Sequence, residues 1–95
     1  MNLDNVLVRN SNLIIDVVED EIIVFNEDTQ NTHILNEVAG FLLKNADNIT
    51  AKEVICRLYN QLSVEDQKTY SLLEISDDCV PFINELVEQG LLYIA

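Results

Sequence analysis

Ile34-Leu35-Asn36-Glu37-Val38-Ala39 carries a short apolar strand straight into a helix, with Asn36 standing at the junction. An Asn side chain accepts the unpaired N–H groups of a first helical turn, so Asn36 is the expected N-cap. Upstream of this junction the chain reads as strands, and downstream it reads as helices. Strands first and three helices after gives an α+β chain, an N-terminal three-stranded antiparallel sheet followed by three helices.

Working upstream, Thr32 to Leu35 is the third strand. The polar turn formers from Asn26 to Asn31 separate it from Ile22–Phe25, a nearly continuous apolar strand. Glu19-Asp20-Glu21 is a polar turn that pairs this strand with Leu13–Val18, which is rich in β-branched residues. Val6-Leu7-Val8-Arg9 reads as a short opening strand.

Working downstream, the first helix runs from Glu37 to Asn45, with Val38, Phe41, Leu42 and Asn45 marking its buried side. Gly40 inside it disfavours the helix by about 1 kcal/mol relative to Ala, which implies close packing against a neighbour. Thr50-Ala51-Lys52-Glu53 is a capping box, and Ile49 and Val54 occupy the positions of a hydrophobic staple. Val54, Ile55, Leu58, Tyr59 and Leu62 then form the stripe of a second helix. Ser63 to Ser76 reads as a loop holding one helical turn, with Ser63-Val64-Glu65-Asp66 as its cap. The third helix is expected to begin at Asp78, because an earlier start places Pro81 in its interior. Gly90 ends it, and Leu91–Ile94 forms an extended apolar tail.

The 95 residues form a single domain, 1–95, and 48% hydrophobic content is that of a folded chain. No apolar run is long enough to span a membrane, and no basic-then-apolar start marks a signal peptide, so the expected location is cytoplasmic. Cys56 and Cys79 fall in apolar helical contexts and read as buried free thiols. With one His far from either, they form no zinc pattern.

The net charge of −12 bears on partners. Arg9, Lys44, Lys52, Arg57 and Lys68 are the only Lys and Arg residues, and no two are adjacent. Duplex DNA is therefore repelled and a basic partner attracted. The carboxylates fall in turns and on polar helix faces, His33 has no nucleophile beside it by any motif, and Gly40 and Gly90 make no phosphate loop. The chain reads as a non-enzyme with no cofactor.

The third helix is apolar over a wider arc than one contact needs. Cys79, Phe82, Ile83 and Leu86 make the core stripe, and Val80 and Val87 lie beside it. The third strand, short and preceded by a polar loop, is expected at a sheet edge, where unpaired backbone groups pair with an extended peptide. Together they imply a cleft for a peptide in β conformation.

The chain resembles the PqqD family, also called the RiPP recognition element, where RiPP denotes a ribosomally synthesised and post-translationally modified peptide. Arg9 precedes the hairpin as a family arginine does. Leu35-Asn36-Glu37-Val38-Ala39 is similar to the family's strand–helix junction. Thr50-Ala51-Lys52-Glu53-Val54-Ile55 with Leu58 and Tyr59 resembles its second helix. Asp78-Cys79 with Phe82-Ile83, Leu86 and Gly90-Leu91 resembles its closing helix. Pro81 and the long Ser63–Ser76 segment depart from the pattern. The resemblance implies a winged-helix-like fold that captures the leader segment of a precursor peptide as an added strand, without catalysis. Carried over residue by residue, the site falls on Asn31, Thr32, His33 and Ile34 of the strand and on Val80, Ile83, Asn84 and Val87 of the helix. The implied partners are the leader peptide and a modifying enzyme, such as a radical-SAM enzyme, a cyclase or a leader peptidase.

A winged-helix transcription regulator is the competing class, because a fold does not fix a function. A recognition helix needs basic or amide side chains aimed at base edges. The third helix carries Asp77, Asp78, Glu85 and Glu88 and no basic residue, and the second carries only Lys52 and Arg57. An acidic adaptor that binds a folded protein through the helix alone, without the strand edge, is the remaining alternative.

Overall fold

A computed structural model describes residues 2–19 and 21–95. The class is α+β, with two small antiparallel sheets and four helices among the described residues. Strands β1 (Val6–Arg9), β2 (Leu13–Val18), β3 (Glu21–Asn26) and β4 (Asn31–Leu35) precede helix α1 (Glu37–Asn45). Strand β5 (Ile49–Thr50), helices α2 (Ala51–Gln61), α3 (Val64–Thr69) and α4 (Leu72–Glu88), and strand β6 (Leu92–Ile94) follow.

The expected three-stranded sheet is β2-β3-β4. Its β2–β3 ladder runs from Leu13↔Asn26 to Val18↔Glu21. Glu19 takes φ 57°, the left-handed sense that two-residue hairpin loops use. Asp20, the middle of the expected turn, lies outside the described residues.

The second sheet, β5-β1-β6, corrects the sequence reading. Val6–Arg9, expected only as a short opening strand, forms its centre. It pairs with Ile49–Thr50 on one side and with the supposed C-terminal tail on the other, in the register Leu7↔Ile94 and Arg9↔Leu92. Leu7, Leu91 and Leu92 are fully buried, and burying such side chains stabilises by about 1.5–3 kcal/mol each. The first half of the tail is therefore core, while Tyr93 and Ile94 stay exposed.

The helices are corrected too. Each one is N-capped by a side-chain oxygen accepting the N–H three residues on: Asn36 from Ala39 (2.8 Å), Thr50 from Glu53 (3.1 Å), Ser63 from Asp66 (3.1 Å) and Ser71 from Glu74 (3.2 Å). Glu53 does not reach back to complete a box. Its Oε1 accepts from Arg57 instead, at 3.3 Å. The Ser63–Ser76 segment holds α3 and the start of α4. The last helix begins at Leu72, six residues before Asp78, with Pro81 in its interior. Pro81 cannot donate to the carbonyl four residues back, on Asp77, and both residues lie on the exposed side of the helix.

In α1 the buried residues are Ala39, Gly40, Leu42 and Leu43, with Ala46 just beyond, while Phe41 and Asn45 are half-buried. The small residues face the sheet because the helix lies close to it. A Cβ added at Gly40 would collide with the Ile22 side chain, reaching 3.0 Å from Cγ1 and 3.2 Å from Cβ besides clashing with Cδ1.

Two polar clasps fix the sheets relative to the helices. Arg9 Nη1 donates to the Lys44 carbonyl at 2.7 Å, placing a cation at the negative end of α1. The nearly buried Asn10 donates from Nδ2 to Asp28 and to the Gly90 carbonyl, both at 3.0 Å, and its backbone N–H bonds Leu91 at 3.1 Å. Asn12 donates to the other Asp28 oxygen at 2.8 Å. Gly90, at φ 75°, closes α4 in a Schellman turn, with Leu91 N–H bonding the Leu86 carbonyl and Gly90 N–H that of Val87. The β1–β2 turn, the β3–β4 loop and the end of α4 are thereby held at one point.

Candidate functional site

Strand β4 pairs with β3 on one side only, from Ile22↔Leu35 to Asn26↔Asn31. Its other edge is open, leaving a row of backbone donors and acceptors for an added strand. Beside that edge lies a cleft of about 370 Å³ running from β4 through the start of α1 to α4. On the strand it is lined by Thr32, His33, Ile34 and Leu35. On the helix it is lined by Phe82, Glu85, Leu86 and Gln89.

The alternation of β4 divides its side chains. His33 stands opposite the fully buried Val24, and Leu35 is itself buried, so these two face the core side. Thr32 and Ile34 face outward with Phe25 and Ile23, their neighbours on β3. That outer face is apolar, with Ile34 65% and Ile14 55% exposed.

Of the expected strand residues, Thr32, His33 and Ile34 line the cleft, and Asn31 lies beyond it at the loop. None of the expected helix residues, Val80, Ile83, Asn84 and Val87, lines it. Ile83 is 0% exposed and belongs to the core. At about 100° per residue, Phe82, Glu85 and Gln89 lie on one flank of the buried line Cys79–Ile83–Leu86. Val80, Asn84 and Val87 lie on the other flank, where Val87 packs against the core. Excess hydrophobicity pointed to the second flank, but the flank toward β4 is Phe82 set between polar side chains. The missed signal was the i, i+3, i+7 spacing of Phe82, Glu85 and Gln89, which puts them on one face.

Glu85 is the only charged residue among the described residues that line the cleft, and it makes the cleft acidic. Gln89 Nε2 donates to Glu85 Oε1 at 3.4 Å, which leaves the Gln89 carbonyl oxygen on its other side. That oxygen and His33 Nε2 are buried polar atoms with no hydrogen-bond partner. Behind Phe82 a second, more apolar cavity of about 370 Å³ opens between α1, α2 and α4, with Leu58, Leu62, Ile75 and Cys79 in its wall. Burial, with a smaller push from the Asp78 carboxylate, raises the Cys79 thiol to about 11. Both cysteines are free thiols, but only Cys79 is buried as expected; Cys56 is half-buried. No group of His, Cys, Asp and Glu suited to a metal ion occurs among the described residues, and no described helix is long and apolar enough to cross a membrane.

No family model matches the chain, and no curated protein does. Among solved structures it is similar to TbiB1 in complex with the TbiA(beta) leader peptide, with a TM-score of 0.71 and 15% sequence identity over 93% of this chain and 99% of that one. At that identity the likeness is one of fold.

Proposed function

We propose that this domain captures the leader segment of a ribosomally made precursor peptide as an added strand on the open edge of β4, and presents it to a modifying enzyme. The carrying observation is the open β4 edge alongside the cleft that β4 shares with α4. Backbone pairing supplies affinity in such additions, and the flanking pockets supply side-chain preference. The shared fold with a protein solved bound to a leader peptide supports the reading, as does the resemblance of the junction and helix motifs to the PqqD family. The domain acts by binding, without a catalytic step of its own. The enzyme it serves is of the radical-SAM, cyclase or leader-peptidase kind, and the exposed apolar face around Ile14, outside the cleft, remains open to it while the cleft is filled. The site of action is the cytoplasm, where precursor peptides are made.

Titration of the isotope-labelled domain with synthetic leader peptides tests this. Amides of Thr32 to Leu35 should shift together with those of Phe82, Glu85 and Gln89. The β4 amides facing the open edge should also become protected from hydrogen exchange. Shifts confined to α4, with no β4 protection, would support the acidic-adaptor reading and overturn this one.

A further inference from the structure

The two buried orphan atoms, His33 Nε2 and Gln89 Oε1, belong to opposite walls of one cleft. His33 comes from the strand and Gln89 is the residue that caps the end of α4. Leaving a polar atom buried and unpaired is unfavourable, and such an atom in a folded protein calls for an explanation. The outer torsions of His and Gln side chains are soft, so a small rotation turns either atom toward a ligand lying between them.

The chemistry of that ligand follows from the rest of the wall. Gln89 Oε1 is an acceptor, and a neutral imidazole whose proton is on Nδ1 offers Nε2 as a second. Glu85, joined to Gln89, adds two carboxylate oxygens and a negative charge. No Lys or Arg lines the cleft. The chain as a whole carries −12, so no long-range field opposes a cation. Gln89 Oε1 and the Glu85 carboxylate on one wall, facing an imidazole nitrogen that accepts in one of its two neutral tautomers, form a seat for a donor that brings several N–H groups and a positive charge.

We infer that the peptide bound on β4 places a lysine or arginine side chain between His33 and Gln89, with Glu85 as its counter-charge, and that these three residues set the preference for that position. The inference rests on the proposed peptide-capture reading and names the side chain that reading leaves open.

The test is selection of a displayed library of random twelve-residue linear peptides on the native domain and on Glu85→Lys. Glu85 is exposed, so the substitution leaves the core untouched. The native domain should enrich peptides with Lys or Arg at one fixed position relative to an apolar residue, and Glu85→Lys should enrich Asp or Glu there. In an enriched peptide, exchanging the cation for Met should weaken binding to the native domain about tenfold, as loss of a charge-assisted hydrogen bond does. The same exchange should weaken binding to a Glu85→Gln, Gln89→Leu double variant less than about threefold, because the seat is already gone. Enriched peptides that protect β4 amides but show no fixed cation, or the same consensus on Glu85→Lys, would overturn this inference and leave peptide capture standing. A library that yields no binder protecting β4 would overturn both.

Discussion

Cys79 sits 2% exposed against the apolar cavity behind Phe82, and its thiol is raised to about 11. Burial is the larger cause, since ionising the thiol there removes a charge from water, and the Asp78 carboxylate adds to it. The thiol is protonated in both states below the unfolded value, so it adds no pH dependence there. As pH rises from about 9 toward 11 the unfolded chain gives up this proton while the folded chain keeps it, so stability falls across that window. The loss is on the order of 1–3 kcal/mol. Urea midpoints at pH 8 and pH 10.5 should fall more steeply for the native protein than for Cys79→Ala, and equal slopes would refute the assignment. Gly40 makes a different demand. Gly40→Ala gains helix propensity but drives a methyl group into Ile22. Overpacking of this kind is unfavourable by about 1–3 kcal/mol, so thermal melts should show a net loss. Adding Ile22→Val, which removes the clashing Cδ1, should recover most of it.

Helix α4 carries the largest difference between expectation and structure at the level of elements. Pro81 set its expected start at Asp78, whereas Ser71-Leu72-Leu73-Glu74 is itself a Ser-x-x-Glu cap and was the better signal. The proline is tolerated because only one carbonyl, on an exposed residue, loses its donor. Proline in a helix interior is unfavourable by about 3 kcal/mol, and its stiffening of the unfolded chain offsets part of that. Pro81→Ala should therefore raise stability by about 1–3 kcal/mol in chemical denaturation, with no loss of peptide affinity, because position 81 does not line the cleft. The hairpin, the Asn36 and Thr50 caps, the edge position of β4 and the Gly90 stop were legible because each has a local mark: an alternation, a capping side chain, a left-handed residue. The β5-β1-β6 sheet has no such mark. Ile49–Thr50 is too short to show a period, and its partners lie far away in sequence. The helix wall of the cleft was hidden for another reason. Apolar surplus locates a flank that needs cover, and packing had already covered Val87. The polar flank facing β4 becomes visible only once the helix is rotated into place.

For the whole molecule, charge decides what stays away. With −12 overall and α4 bearing Glu74, Asp77, Asp78, Glu85 and Glu88, no surface offers the array of cations that phosphates need. Of the five basic side chains, Arg9 is turned to the end of α1 and Arg57 to Glu53. Gel-shift titration with duplex DNA at physiological salt should show no sequence-selective complex at submicromolar protein, and one that appears and weakens with salt would restore the transcription-regulator reading.

The pairing of β1 with β6 also has a consequence in time. These strands lie near opposite ends of the sequence, yet Leu7 on one and Leu91 and Leu92 beside the other fill the same core. Contacts so distant along the chain are slow to close, because the intervening segment must be ordered before they form. As the polypeptide leaves the ribosome, the hairpin and the first helices emerge early but have no complete core to dock on. The end of α4 is secured by Gly90 and Asn10, and it belongs to that late step. The strand wall of the cleft therefore emerges long before β6, the strand whose pairing with β1 fixes its helix wall.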